Sequence, residues 1–270
     1  MKTSIIVSKE DIAGMNMAKF LKETFGFKET EREFDGNNVW VKDKFELVFV
    51  NEFQIYAEHL NNLETDLIVF ASRHSSAAEK PSLTVHAPGN WGKAEMGGKD
   101  GELCPTYAGL IKNYLLELQK KKDELNLEYE VSLETTHHGP FLEKPAVFIE
   151  LGSCEKQWGD LKAAEIIAGI IFNSTKVENA GVVAIGIGGN HYCPEFTKLV
   201  LRTDYATSHI IPKYILQNFS EEMLGKAIEK TVEKVDEIVI DYKGLGLEKK
   251  RVLPVLEKCG LPIKRVRKLL

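Results

Sequence analysis

Apolar positions along the chain fall into two periods. Short apolar runs at Thr3–Val7, Asp66–Ala71, Leu83–His86, Ala146–Leu151 and Gly181–Ile187 have the length and composition of buried strands. Asn38–Val41 and Phe45–Val50, either side of Lys42-Asp43-Lys44, predict a hairpin, and Leu127–Thr136 alternates as a strand does. Helical spacing appears in Met15–Phe25, through Met15, Ala18, Leu21 and Phe25, with Gly26 as its stop. It recurs in Tyr107–Leu125, through Leu110, Ile111, Tyr114, Leu115 and Leu118, and in the strongly apolar Leu161–Phe172. The C-terminal part repeats the alternation: helix Glu221–Val232, strand Glu237–Asp241, helix Glu248–Lys258 and a short strand near Ile263. Strands interleaved with helices predict a three-layer α/β/α fold with a mixed, largely parallel sheet. With no Pro/Gly/Ser linker to split them, residues 1–270 are expected to form a single domain.

The 270 residues are 43% hydrophobic and 28% charged, values that permit a sizeable core and exclude a largely disordered chain. The net charge of -5 argues against a surface coated in positive charge. It leaves room for a local basic footprint, such as Lys249-Lys250-Arg251 through Lys264, Arg265, Arg267 and Lys268. The N-terminal apolar run is too short for a signal segment or a membrane span, and the four scattered cysteines include no CxxC pair. A cytoplasmic protein with free thiols is expected.

Familiar motifs fail. Gly186-x-Gly188 has His191 where a dinucleotide fingerprint needs its third glycine, and Lys99 follows Gly97-Gly98 without the rest of a P-loop. There is no HExxH or GxSxG. What remains is a distribution of histidines. Of seven, His74, His86, His137, His138 and His191 sit where a strand ends or a loop begins, and His209 lies in Ser208–Pro212. In open α/β sheets such loops hold ligands. Strand alternation puts Glu134, Thr136 and His138 on one face and His137 on the other, so only one of the adjacent histidines is expected to enter a given site. Glu150 interrupts an apolar strand. It is either a carboxylate satisfied by backbone amides or a metal ligand, general base or amine-binding group. Imidazoles with one carboxylate suit Zn²⁺, which polarises an ester carbonyl and lowers the pKa of bound water to about 7. The metal set expected is His86, His138, His191 and His209, and the reaction a metal-assisted hydrolysis.

Seven motifs occur in order: ASRHS (71–75), TVHAPGNWG (84–92), ETTHHGP (134–140), FIELGS (148–153), GIGGNHYCP (186–194), SHIIPKY (208–214) and DYKG (241–244). Together they resemble the archaeal and plant type of D-aminoacyl-tRNA deacylase over nearly the whole chain, with Asn190 where that family often has glycine. The resemblance implies a phosphorylase/hydrolase-like fold similar to peptidyl-tRNA hydrolase, zinc, and hydrolysis of the ester between a D-amino acid and the terminal adenosine of tRNA, clearing mischarged product. The partner implied is D-aminoacyl-tRNA. No membrane and no obligate protein partner are expected, in keeping with a monomer.

On that reading His138, Glu150 and His191 are the expected catalytic residues, with Glu150 able to hold the α-ammonium and His191 either a ligand or an acid–base group. Expected substrate contacts are Arg73, His74, Asn90, Lys93, the Gly188-Gly189 backbone, and Trp91 or Tyr192 stacking on the terminal base. The basic tail is expected on tRNA phosphates. The rival functions are a nucleoside phosphorylase or metallopeptidase of related fold, and a non-catalytic RNA-binding module; the imidazoles at strand ends argue against the last.

Overall fold

The computed structural model describes residues 1–175 and 180–270. The chain opens with strand β1 (Thr3–Ser8) and helix α1 (Ile12–Glu23), followed by β2 (Lys28–Phe34), β3 (Asn37–Lys42) and β4 (Phe45–Val50). Two 3-10 turns, Gln54–Tyr56 and Glu58–Asn62, lead to β5 (Leu67–Arg73) and β6 (Ser82–His86). Helix α2 (Ala108–Leu125), β7 (Glu130–Leu133), β8 (Ala146–Gly152), the short α3 (Glu155–Trp158) and α4 (Leu161–Ser174) come next. The last part is β9 (Val182–Ile187), α5 (Pro194–Arg202), β10 (Tyr205–Ile211), α6 (Glu221–Glu229), β11 (Glu237–Ile240), α7 (Lys249–Lys258) and β12 (Ile263–Arg265).

The strands divide between two sheets. The larger has the order β2-β3-β4-β1-β5-β8-β6-β7 and the smaller β10-β9-β11-β12. Around β1 and β5 the larger sheet is parallel, and it turns antiparallel at the β2–β3–β4 meander and at β6–β8. Every pairing in the smaller sheet is parallel. The mixed, largely parallel α/β class is therefore as expected, with two sheets where the apolar runs suggested one.

Alternation along each strand sorts the faces of the larger sheet. Val7, Val69, Ala71, Val147, Ile149 and Val85 pack under α1, α2 and α4 against Met17, Leu21, Tyr114 and Ile167. The opposite face carries Ile6, Val48, Ile68, Phe70 and Phe148, covered by Ala57, Leu60 and Leu142 from loops and turns rather than by an α-helix. That lighter cover leaves space on this face at the ends of β5 and β8. Asp11 anchors it from below. This buried carboxylate caps α1 through Gly14 N at 3.0 Å and also accepts from Gln54 Nε2 at 3.0 Å and Arg73 N at 2.7 Å. In the smaller sheet Ile185, Ile187, Ile238 and Ile240 pack against Leu224, Val252 and Leu256 of α6 and α7, while Ala184, Val239, Phe196 and Leu199 join the larger core.

Four elements escaped the apolar pattern: the short α3, strand β10 with its polar Thr207-Ser208-His209 centre, strand β2 and helix α5. Strand β2, KETEREF, is an exposed charged edge, a composition that keeps an edge from pairing with another chain. Helix α5 begins at Pro194 in its first turn, directly after the glycine-rich loop. A further correction bears on function. The strand expected to run to Thr136 ends at Leu133, and residues 134–138 cross to the smaller sheet instead. There Thr135 N donates to His191 O at 2.9 Å and Thr136 N to Ile210 O at 2.9 Å.

Candidate active site

Strand register assembles the site. Ser72 of β5 lies opposite Glu150 of β8, which lies opposite Thr84 of β6; two residues along, Phe148 lies opposite His86. All share the face turned away from α1, α2 and α4. His74, just beyond β5, continues the row. Glu134, just beyond β7, donates its backbone N–H to Val85 O at 3.1 Å and so arrives beside His86. His86 stacks on Phe148 with ring centroids 5.0 Å apart, and His138 meets the same ring edge-on at 4.8 Å. The resulting cavity of about 300 Å³ is lined by His74, His137, His138, Glu150, His191 and Arg73, with Phe53, Gln54, Tyr56 and Met96 on its outer wall.

Two buried carboxylates organise the charges. Glu134 Oε2 lies 2.7 Å from His191 Nε2 and 3.5 Å from His137 Nε2, and its Oε1 lies 3.0 Å from His74 Nδ1. Glu150 Oε2 lies 3.4 Å from His74 Nδ1, 3.5 Å from Thr84 Oγ1 and 3.8 Å from His86 Nε2. Burial opposes ionisation of both acids, but the imidazoles of His191 and His74 hold Glu134 well below the usual carboxylate range, and those of His74 and His86 bring Glu150 down to about 2. Burial also opposes the cation at His74, yet Glu134 and Glu150 push it up to about 12. His74 is thus an imidazolium, and its Nε2–H donates to the Tyr192 hydroxyl at 2.9 Å. Burial opposes the cation at His86 as well, yet Glu150 and then Glu134 push it above its usual range, so His74 and His86 together answer the two carboxylates.

Three other histidines are built differently. His86 Nδ1 lies 3.1 Å from Ala87 O, His137 Nδ1 2.8 Å from Thr135 O, and His138 Nδ1 2.8 Å from Gly139 O. A carbonyl only accepts, so Nδ1 carries a proton in each; Nε2 of His137 and of His138 keeps its lone pair, while Nε2 of His86 points toward Glu150. Burial, then the nearby imidazoles, hold His137 well below its usual range and His138 at about 4, so both are neutral. The ligand atoms of His86, His137 and His138 fall within 4.8 Å of one another, as do those of Glu134, His137 and His191, and of His74, Glu134 and Glu150. His86 Nε2 is buried without a hydrogen-bond partner, with Glu150 Oε2 3.8 Å away. The Nε2 lone pairs of His137 and His138, the unpartnered His86 Nε2 and the two buried carboxylates beside them make a donor set that fits a divalent cation such as Zn²⁺.

Residues 61–264 match the family model described as D-aminoacyl-tRNA deacylase. A protein of that name from Thermococcus onnurineus is 43% identical, the match covering 95% of this chain and 97% of that protein. One from Methanocaldococcus jannaschii is 37% identical over 98% of this chain and 100% of that protein. The crystal structure of a conserved protein of unknown function, 34% identical, superposes with a TM-score of 0.89 over 99% of this chain and 96% of that one. The chain belongs to the D-aminoacyl-tRNA deacylase family.

For a deacylase-family chain, the residues expected from sequence divide cleanly. His74, Arg73, His138, Glu150 and His191 line the cavity. Arg73 is half-buried, its guanidinium 4.4 Å from the Phe53 ring and 4.8 Å from the Trp158 ring. Glu150 is not satisfied by backbone amides; its neighbours are imidazoles and a hydroxyl. His137, set aside by strand alternation, does enter. The strand has ended by then, and His138 adopts a positive φ of 46°, so neighbouring side chains no longer oppose each other. Glu134 was also missed as a site residue. Its signal was present, since it follows an apolar strand on the face that carries His138.

His209 departs from expectation. It is fully buried with Nδ1 3.3 Å from Thr136 Oγ1, and burial lowers its pKa to about 4. It belongs to none of the three ligand groups. Trp91 is 2% exposed in the core, its Nε1–H bonded to Ile210 O at 3.2 Å, so its ring is unavailable to a base. Asn90 is buried and donates to Gly97 O at 2.9 Å, which holds a loop. Lys93 is exposed and lies off the cavity lining. Tyr192 braces His74, and Gly188 and Gly189, both at positive φ, carry the loop that delivers His191.

Proposed function

We propose that the protein hydrolyses the ester joining a D-amino acid to the terminal adenosine of tRNA, with Zn²⁺ as cofactor. The observation that carries the reading is the grouping of His86, His137 and His138 ligand atoms within 4.8 Å of one another, beside two buried carboxylates and a cavity that His137, His138 and Glu150 line, in a chain of this family. His86, His137 and His138 would hold the metal, which supplies polarisation of the ester carbonyl and a nucleophilic water near neutral pH.

The chain's own residues do the rest. His191, partly open to the cavity, passes a proton between water and the departing ribose oxygen. Glu134 orients its ring and stabilises the imidazolium that forms. Glu150 faces the α-ammonium, held in place by His74 and Thr84. Arg73, fixed by aromatic rings and by its backbone bond to Asp11, meets the acceptor end. Core residues from both sheets in one cluster support reading residues 1–270 as a single domain. Among the described residues no helix is long and apolar enough to cross a membrane.

The test incubates the protein with D- and L-aminoacyl-tRNA, with and without chelator. Preferential, chelator-sensitive release of the D-amino acid is expected. No hydrolysis of either, or full activity in metal-free protein, would overturn the substrate and the metal respectively.

A further inference from the structure

The carboxyl ends of the smaller sheet carry chemistry that ester hydrolysis does not use. Ile240 of β11 pairs with Arg265 of β12, so the chain leaving β11 emerges beside that arginine. Tyr242 follows, with the Arg265 guanidinium 3.8 Å from its ring centroid and Lys249 Nζ, from the start of α7, 4.4 Å from the same centroid. Lys264 and Arg267 nearby approach Glu237 at 3.9 Å and Glu195 at 3.6 Å. Among the described residues, neither Lys249 nor Arg265 has a carboxylate at ion-pair distance. A ring quadrupole attracts each cation but leaves their mutual repulsion in place, so the pair is completed by an anion. A flat guanidinium held on a ring keeps its N–H edge available to a phosphate.

Beside this pair lies a cavity of about 230 Å³ lined by Gly189, Asn190, Lys213, Asp241, Gly244 and Arg267. The loops after β9 and β11 touch there. A Cβ on Gly244 would sit 2.6 Å from Gly189 N, too close for any side chain. Asn190 faces this cavity and His191, the next residue, faces the hydrolytic one, so both back onto one loop with adjacent Cα atoms about 3.8 Å apart. The chain as a whole is acidic, at -5, which makes this concentration of lysine and arginine local.

We infer that the surface formed by Lys213, Tyr242, Lys249, Arg265 and Arg267 binds phosphates of the tRNA acceptor arm while the aminoacylated terminal nucleotide occupies the neighbouring cavity. The inference rests on the proposed deacylation and adds where the RNA lies. Asp241 and Glu195 limit the local charge, which suits a ligand that must leave after hydrolysis.

The test compares wild type with Lys249→Gln/Arg265→Gln on two substrates, D-aminoacyl-tRNA and the D-aminoacyl ester of adenosine, which has no phosphate. The double variant should raise KM for the tRNA roughly tenfold with kcat unchanged, and lower the salt slope of uncharged-tRNA binding by about 1–2, one per lost phosphate contact. Hydrolysis of the adenosine ester should be untouched. An unchanged tRNA KM and salt slope would overturn the inference, as would an equal loss on both substrates. If wild type cleaves neither substrate, deacylation fails as a reading; anisotropy with uncharged tRNA still decides whether the surface binds RNA.

Discussion

Replacing Glu134 by glutamine keeps the shape of the side chain and removes its charge from between His74 and His191. In the proposed reaction His191 becomes an imidazolium only as the proton moves, so the lost attraction belongs to the transition state. Charge centres of such a contact pair lie about 4 Å apart, and at an effective dielectric of about 20 their attraction is about 4 kcal/mol. The His191 side chain is 31% exposed, and solvent screens part of this. About 2–3 kcal/mol remains, a fall in kcat of about 30- to 160-fold. KM should stay near wild type, because the interaction removed is one that strengthens in the transition state. Single-turnover deacylation of D-aminoacyl-tRNA measures kcat, and elemental analysis of the same preparation measures zinc. Wild-type kcat in a zinc-replete Glu134→Gln protein would refute the ion-pair reasoning. Loss of zinc would refute it differently, by making Glu134 a ligand.

His137→Ala and His138→Ala should each deplete bound zinc, whereas His209→Ala should retain it and lower Tm; elemental analysis and a thermal melt separate them. Glu150→Gln should fold normally and cut kcat/KM for D-aminoacyl-tRNA by ~100-fold or more, the scale for losing an acid–base or electrostatic group; a lowered Tm with kcat spared would make it structural. Asp11→Ala leaves the N–H groups of Gly14 and Arg73 unpaired and Gln54 Nε2 with only its 3.4 Å contact to Ala71 O, and should cost about 2–4 kcal/mol of stability in denaturant titration, since several buried bonds go at once. Trp91→Ala should cost about 3–5 kcal/mol in the same assay; a specific rise in tRNA KM without destabilisation would return Trp91 to the substrate site.

The order and type of most elements were legible because buried strands and amphipathic helices carry an apolar period. Strands β2 and β10 and helices α3 and α5 were not: β2 is a charged edge, polar Thr207-Ser208-His209 interrupts β10, α3 is a single turn, and α5 is announced only by a proline. Five of the cavity's polar residues (Arg73, His74, His138, Glu150 and His191) could be named from strand ends and motif resemblance. His137 and His209 show the limit. Alternation holds only while the chain is a strand, and residues 134–138 leave the larger sheet to bond the smaller one. That crossing admits His137 and buries His209 behind Thr136 and Trp91. A sequence does not display which sheet a loop will lean on. Burial of Trp91 was hidden for the same reason: its partner, Ile210, is more than a hundred residues away.

The three bonds that fix His86, His137 and His138 end on main-chain carbonyls, those of Ala87, Thr135 and Gly139. Where a carboxylate side chain holds a histidine, one codon change can alter the ring's basicity or flip its tautomer. Here no substitution at residues 87, 135 or 139 deletes the acceptor, because every amino acid brings the same carbonyl. The donor set is thereby insulated from point mutation and can be retuned only by moving the backbone itself. Random mutagenesis of this protein should therefore reach the acidic half of the cavity far more readily than the imidazole half: hits at Glu134 and Glu150 change charge directly, while the ring orientations beside them persist through neighbouring sequence drift.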